Sequence, residues 1–135
     1  MADDPTLLLQ VNKAFYRAFA ARDVAAMEAL WAEAAPVACI HPGGPALTGR
    51  AAVLQSWRQI LESPGSPKIR CHKEQALLYG DIGIVICQEL LEEGMLVATN
   101  IFAREPAGWR MVHHQASPLS AAALDVQDPP SAARN

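Results

Sequence analysis

The chain reads as an α+β domain in which three N-terminal helices pack on a strongly curved antiparallel β-sheet. Three observations predict it. Up to Glu62 the apolar residues recur at helical spacings of three and four. The breaker Ser63-Pro-Gly-Ser-Pro67 then ends the helical part decisively. After it the period changes, and four strand-length runs follow, separated by turns so short that only hairpins fit. Helices first and a meander afterwards give two layers, with a pocket between the helices and the bent sheet.

Each element has its own signals. Asp4-Pro5 is an acidic cap followed by a proline, and Leu8, Val11, Phe15, Ala18 and Phe19 then form one apolar stripe. Ala21-Arg22-Asp23 interrupts that helix, and Asp23 can cap a shorter one carrying Met27, Leu30 and Trp31, which stops before Pro36. The run Val37-Ala-Cys-Ile-His41 is short and β-rich, and it delivers His41 to a sharp turn at Pro42-Gly43-Gly44. A third helix is expected from about Arg50 to Glu62, with Val53, Trp57, Ile60 and Leu61 on one side. The strands run from Ile69 to Leu78, Ile82 to Leu91, Met95 to Arg104 and Trp109 to Ser117. Gly80-Asp81, Glu92-Glu93-Gly94 and Pro106-Ala107-Gly108 supply the turns. The domain therefore spans 5–118, and 119–135, with its Ala, Pro and polar residues, reads as a flexible C-terminal tail.

Composition excludes several classes. At 135 residues, with 51% hydrophobic and 19% charged residues, the chain is one globular domain. A net charge of -3 without a Lys/Arg cluster argues against nucleic acid as a partner. No apolar run approaches a membrane span, and the start Met1-Ala-Asp-Asp-Pro5 is acidic where a signal peptide is basic. Cys39, Cys71 and Cys87 are odd in number and widely spaced, so neither a disulfide framework nor a zinc knuckle is expected, and the chain reads as cytoplasmic. The later strands are apolar at both parities: Ile82, Ile84 and Ile86 alternate with Gly83, Val85 and Cys87. A second apolar sheet face predicts a homodimer formed through the sheet, with cover by the tail as the competing explanation.

The chemistry-bearing candidates are few. His41 is an imidazole at a strand end beside a glycine turn, a placement that aims it into a cleft where it can take or shuttle a proton. The alternative is a turn histidine in water. Asn100 stands in mid-strand, where an amide either satisfies a neighbouring strand or donates a hydrogen bond to a developing oxyanion. His113 and His114 are adjacent on a strand and must point to opposite faces. Strict alternation groups His113 with Trp109, Met111 and Gln115, and His114 with Arg110, Val112 and Ala116; either group can face the pocket, and His113 is preferred as the pocket member. Tyr16 and Trp57 are core aromatics that double as pocket wall. A metal needs a third ligand beside His41 and His113, and no carboxylate is suitably placed, so no metal is expected. There is no cofactor motif, and no cofactor is expected. Glu89, Glu92 and Glu93 read as a solvated strand end and turn.

One ordered set of residues carries a resemblance: Phe15-Tyr-Arg-Ala-Phe-Ala-Ala-Arg-Asp23, Ala29-Leu-Trp31, Cys39-Ile-His-Pro-Gly-Gly44 with Gly49-Arg50, Ala98-Thr-Asn-Ile-Phe102, and Trp109-Arg-Met-Val-His-His-Gln-Ala-Ser117. With it, roughly residues 7–118 resemble the nuclear transport factor 2-like superfamily, near its SnoaL-like and ketosteroid-isomerase-like branches. The resemblance implies a cystatin-like α+β barrel enclosing a conical pocket. Matched to the isomerase pattern, His41 stands where the general-base aspartate would be, and Asn100 where the protonated acid of the oxyanion hole would be. Phe15 stands at the oxyanion tyrosine, with Tyr16 one residue out of register. Many SnoaL-like relatives resemble W-x-x-x-H-x-H-x-S near the C-terminal end, and Gln115 stands at the second of those histidines. The implied function is a small-molecule pocket protein: an acid–base isomerase, cyclase or dehydratase acting on an apolar carbonyl compound with His41 as base. The alternative is a non-catalytic ligand-binding or dimeric association domain.

Overall fold

Three helices lie against one face of a six-stranded mixed sheet. A computed structural model describes residues 4–120 of the chain. The helices are α1 (Thr6–Ala21), α2 (Val24–Leu30) and α3 (Arg50–Glu62). The strands are β1 (Ala38–Ile40), β2 (Ala46–Thr48), β3 (Arg70–Tyr79), β4 (Ile82–Leu91), β5 (Gly94–Glu105) and β6 (Gly108–Pro118). They are ordered β2-β1-β6-β5-β4-β3 across the sheet. The last four form the expected antiparallel meander. The expectation of a purely antiparallel sheet is corrected by β1, which pairs parallel to β6, and by β2, which pairs antiparallel to β1. Those two strands are three residues each, too short to show a period in the sequence.

The helix boundaries follow local chemistry. Asp4 Oδ1 accepts hydrogen bonds from the Thr6 backbone N–H (2.9 Å) and hydroxyl (2.7 Å), with Pro5 in the cap position. Arg22 closes α1 in the left-handed region (φ 55°), and Asp23 caps α2 by accepting from the Ala26 N–H at 3.0 Å. Gly49, at φ 92°, opens α3 in a conformation that other residues avoid. Arg50 then ties α3 to the end of α2, donating to the carbonyls of Ala32 and Glu28 at 3.1 Å each. Arg22 does the same at the other end of α3, donating to the carbonyls of Leu61 (2.8 Å) and Ser63. Helix α3 is thus fastened at both ends, and between them it buries Val53, Trp57 and Leu61.

Two irregularities bend the sheet. The β3–β4 register shifts between His72 and Gln75, where Lys73 adopts φ 56°. The β5–β6 register shifts between Ile101 and Phe102: Ile101 pairs with His113 and Phe102 with Met111, leaving Val112 as the extra residue. Helix α1 approaches β4 so closely that a Cβ on Gly83 would stand 2.6 Å from a methyl of the fully buried Leu8. The concave side holds the core, with Phe15, Phe19, Trp31, Trp57, Phe102 and Met111 at its centre. Of the expected tail over 119–135, residues from 121 onward lie outside the described part.

Candidate active site

The bulge in β6 decides which histidine enters the molecule. Trp109 and Met111 face inward, Val112 is inserted, and the phase then reverses so that His114 and Ala116 face inward. The expectation that His113 is the pocket member is therefore corrected. His113 is half-buried opposite Ile101, and His114, 2% exposed, is the inward histidine. Strict alternation fails here because one extra residue moves every following side chain to the other face.

His114 lines a cavity of about 260 Å³ together with His41 and Glu89. Phe19, Trp57, Ile60, Ile69, Leu91 and Leu96 supply apolar wall, and Pro42 and Pro67 contribute to the same lining. His41 reaches it from the turn after β1, its ring edge-on to Trp57 with centroids 4.9 Å apart. Trp57 also packs against His114 (5.6 Å), so one indole separates the two imidazoles. The Trp57 indole N–H is buried without a hydrogen-bond partner.

Behind His114 lies a continuous polar network. The His114 Nδ1 meets Asn100 Oδ1 at 2.5 Å. The Asn100 amide donates to Asn12 Oδ1 (2.8 Å) and to the Tyr16 hydroxyl (3.0 Å). Tyr16 donates to Glu89 Oε2 at 2.6 Å. The circuit returns toward its start, because Glu89 Oε2 stands 3.9 Å from His114 Nε2, too far for a direct hydrogen bond. Cys87 touches the Tyr16 hydroxyl at 3.3 Å, and Asn12 donates to Cys71 Sγ at 3.6 Å. Asn100 and Tyr16 therefore sit one layer behind the cavity wall. Asn100 is fully buried, and its amide is committed on both sides to Asn12, Tyr16 and His114.

Burial sets the charge state. It pulls His114 down to about 3, with His41 and His113 nearby adding to the effect, and it lowers His41 as well. It raises Glu89 above the usual carboxylate range, against the opposing pull of the Tyr16 hydrogen bond. Burial also raises the Tyr16 hydroxyl, and it pushes the Cys39 thiol up to about 12, which leaves no thiolate at neutral pH. Burial thus works against the charged form of all three titratable groups that line the apolar cavity, and no Lys or Arg lines it. Among the described residues no group of three or more His, Cys, Asp or Glu side chains is placed to hold a metal ion.

Sequence reasoning missed Glu89, Asn12 and Ser56. Glu89 shares the inward parity of Gly83, Val85 and Cys87, a legible signal that its acidic neighbours Glu92 and Glu93 obscured. Asn12 lies on the stripe Leu8, Phe15, Phe19, where a polar residue marks a buried partner. Ser56 had no sequence signal. It is on α3 one residue before Trp57 and hydrogen-bonds His41 Nε2 at 3.0 Å.

Comparison with known proteins agrees with this architecture. The family model described as a SnoaL-like domain matches residues 8–121. A structure of a candidate dehydratase of the NTF2-like family from Streptomyces avermitilis is 32% identical, with TM-score 0.78, covering 86% of this chain and 96% of that one. A candidate calcium/calmodulin-dependent protein kinase type II association domain from Thiobacillus denitrificans is 40% identical, with TM-score 0.73, covering 82% and 93%. The F-box protein SKIP8 of Arabidopsis thaliana is 29% identical over 112 residues, which are 82% of this chain and 48% of that protein. The chain therefore spans about half the length of the curated relative it matches.

Proposed function

Because the chain belongs to the SnoaL-like domain family, we propose that its cavity binds a small neutral carbonyl compound and performs acid–base chemistry on it, with His41 as the base. The observation that carries this reading is the meeting of His41, His114 and Glu89 on one apolar cavity. An imidazole whose proton burial disfavours and a carboxyl whose proton burial favours, facing the same space, are the two halves of proton transfer next to a carbonyl group. His41 removes the proton from the carbon beside the carbonyl. Glu89, braced by Tyr16, donates a hydrogen bond to the oxygen as it gains charge. His114 is held in place by Asn100 and presents its second ring nitrogen on the same side as Glu89. The enolate that results takes the proton back from His41 at another carbon in an isomerisation, or expels a neighbouring hydroxyl, which leaves as water with the proton His41 holds, in a dehydration. The S. avermitilis relative's description as a candidate dehydratase supports the second course. At about 260 Å³ the cavity lies just below the usual range of ligand sites, which favours a compact substrate. Without a lining cation it favours a neutral one.

The test is a thermal-shift screen of apolar ketones, hydroxyketones and aromatic ketones, followed by turnover assays on whatever stabilises the fold. His41→Ala should lower kcat by about 100-fold or more while ligand affinity changes only severalfold. Wild-type turnover in that variant removes His41 from the mechanism. Stabilisation by a ligand with no turnover in the wild type leaves a binding protein.

A second reading concerns assembly and is compatible with the first. On the outer sheet face Leu77, Tyr79 and Ile82 are exposed, and Ile84, Ile86, Val97 and Ile101 are half-buried around them. Such a patch favours a homodimer through the sheet, and the 40% identity to a candidate association domain supports it. The cytoplasm is the inferred place of action. Cys39, Cys71 and Cys87 are free thiols, and no described helix is long and apolar enough to cross a membrane.

A further inference from the structure

We propose that Ser56 is a positioning residue that fixes the proton of His41 on Nε2 and leaves Nδ1 as the basic nitrogen of the site. This rests on the acid–base reading for its catalytic meaning, but the tautomer itself follows from hydrogen-bond counting. A serine hydroxyl has one proton to give. The Ser56 Oγ lies 2.7 Å from the Val53 carbonyl oxygen, one turn earlier in α3, and a carbonyl can only accept. Ser56 must therefore spend its proton on Val53. The His41 Nε2 lies 3.0 Å from the same Oγ, and with no proton left for Ser56 to give, Nε2 is the donor of that pair.

A neutral imidazole carries one ring proton, so Nδ1 keeps its lone pair. Its nearest hydrogen-bonding neighbour among the described residues is the Cys39 thiol at 4.0 Å, the outer limit for sulfur. The same thiol lies 3.7 Å from Nε2, a longer and weaker contact than the 3.0 Å one that Nε2 makes to Ser56. Trp57 stacks edge-on against the ring and restricts its rotation. The elements that make this arrangement come from opposite sides of the Pro42-Gly43-Gly44 turn: β1 brings the imidazole, and α3, fastened by Arg50 and Arg22, brings the hydroxyl. Backbone hydrogen bonding to Val53 gives the hydroxyl a fixed direction, so Ser56 acts as an oriented acceptor and takes no part in proton transfer.

The experiment is long-range proton–nitrogen NMR on ligand-free protein with ¹⁵N-labelled histidine at neutral pH, where it needs no substrate. The wild type should show a slowly exchanging ring proton on His41 Nε2 and an unprotonated Nδ1. Ser56→Ala should lose the slow exchange of that proton, and Ser56→Thr should restore it. Should a substrate be found, Ser56→Ala should lower kcat by about tenfold with KM little changed, and Ser56→Thr should recover most of it. A His41 proton on Nδ1 in the wild type overturns the proposal, and so does a Nε2 proton that exchanges as slowly in Ser56→Ala. Because the tautomer is read without turnover, an Nε2 proton in a protein that turns nothing over upholds the positioning and refutes only the acid–base reading.

Discussion

At the scale of single residues, the buried polar network has opposing effects on stability. In the unfolded chain His114 takes up a proton near 6.5, while in the fold it does so only at about 3. Between those values the unfolded chain holds the extra proton, so the fold gains stability as pH rises through that window. The lowered His41 acts in the same sense. Glu89 acts oppositely: burial raises it above 4.5, the fold then holds the extra proton, and stability falls as pH climbs from 4.5 toward its folded value. Replacing His114→Gln removes the largest favourable slope. The melting temperature of that variant should therefore vary less between pH 4 and 6.5 than that of the wild type; equal slopes would show that His114 titrates normally. Glu89→Gln keeps the shape and an acceptor for Tyr16 and should fold at pH 7, whereas Glu89→Leu leaves the Tyr16 hydroxyl without its carboxyl acceptor and should cost about 1–3 kcal/mol by urea unfolding. These residues were unequally legible. His41 and Trp57 line the cavity, and what places them, a turn and an apolar stripe, are local properties that a sequence displays. Asn100 and Tyr16 are close by but recessed, since depth along a side chain's direction depends on what packs in front of it.

At the scale of elements, the contact between α1 and β4 depends on Gly83 having no side chain. A methyl there meets Leu8, which is fully buried and has nowhere to move. Gly83→Ala should therefore destabilise by about 1–3 kcal/mol. Leu8→Ala alone should cost about 2–5 kcal/mol through the space it leaves. The two together should cost less than their sum, because the new methyl occupies part of the vacated volume. Strict additivity in a urea double-mutant cycle would mean that the two residues do not compete for the same space. Arg50 is a second element-scale joint. Its two hydrogen bonds to the carbonyls ending α2 need a planar fork, so Arg50→Lys should behave nearly as badly as Arg50→Met when unfolding is followed in urea. Of the elements, the three helices and four long strands were legible from period, caps and turns. The strands β1 and β2 were not, being only three residues each and defined by pairing with partners distant in sequence.

At the scale of the whole molecule, the outer sheet face is the feature that a lone protomer leaves unexplained. Two-fold pairing of that face predicts a dimer in sedimentation at micromolar concentration. Ile84→Lys places a charge in the middle of the patch, flanked by Leu77 on β3 and Ile101 on β5, and should shift the species to a monomer without loss of helix content. A wild-type monomer would count against the dimer. A chain ended after Ser120 separates the alternatives: dimerisation appearing only in that shorter chain would assign the cover to the residues beyond it.

By itself, the sequence determined the order and type of the long elements, the small net negative charge, and the presence of a histidine at the turn after the second helix. Each of these rests on local period, local turn chemistry or bulk charge, which need no knowledge of distant residues. Only the tertiary structure decided which of His113 and His114 faces inward, because that depends on one residue inserted opposite β5. It also turned Glu89 from a solvated strand end into a buried carboxyl, since α1 packs on that strand and brings Tyr16 to it. And it brought Ser56 to His41, two residues whose spacing carries no period and whose meeting requires α3 to fold back over β1.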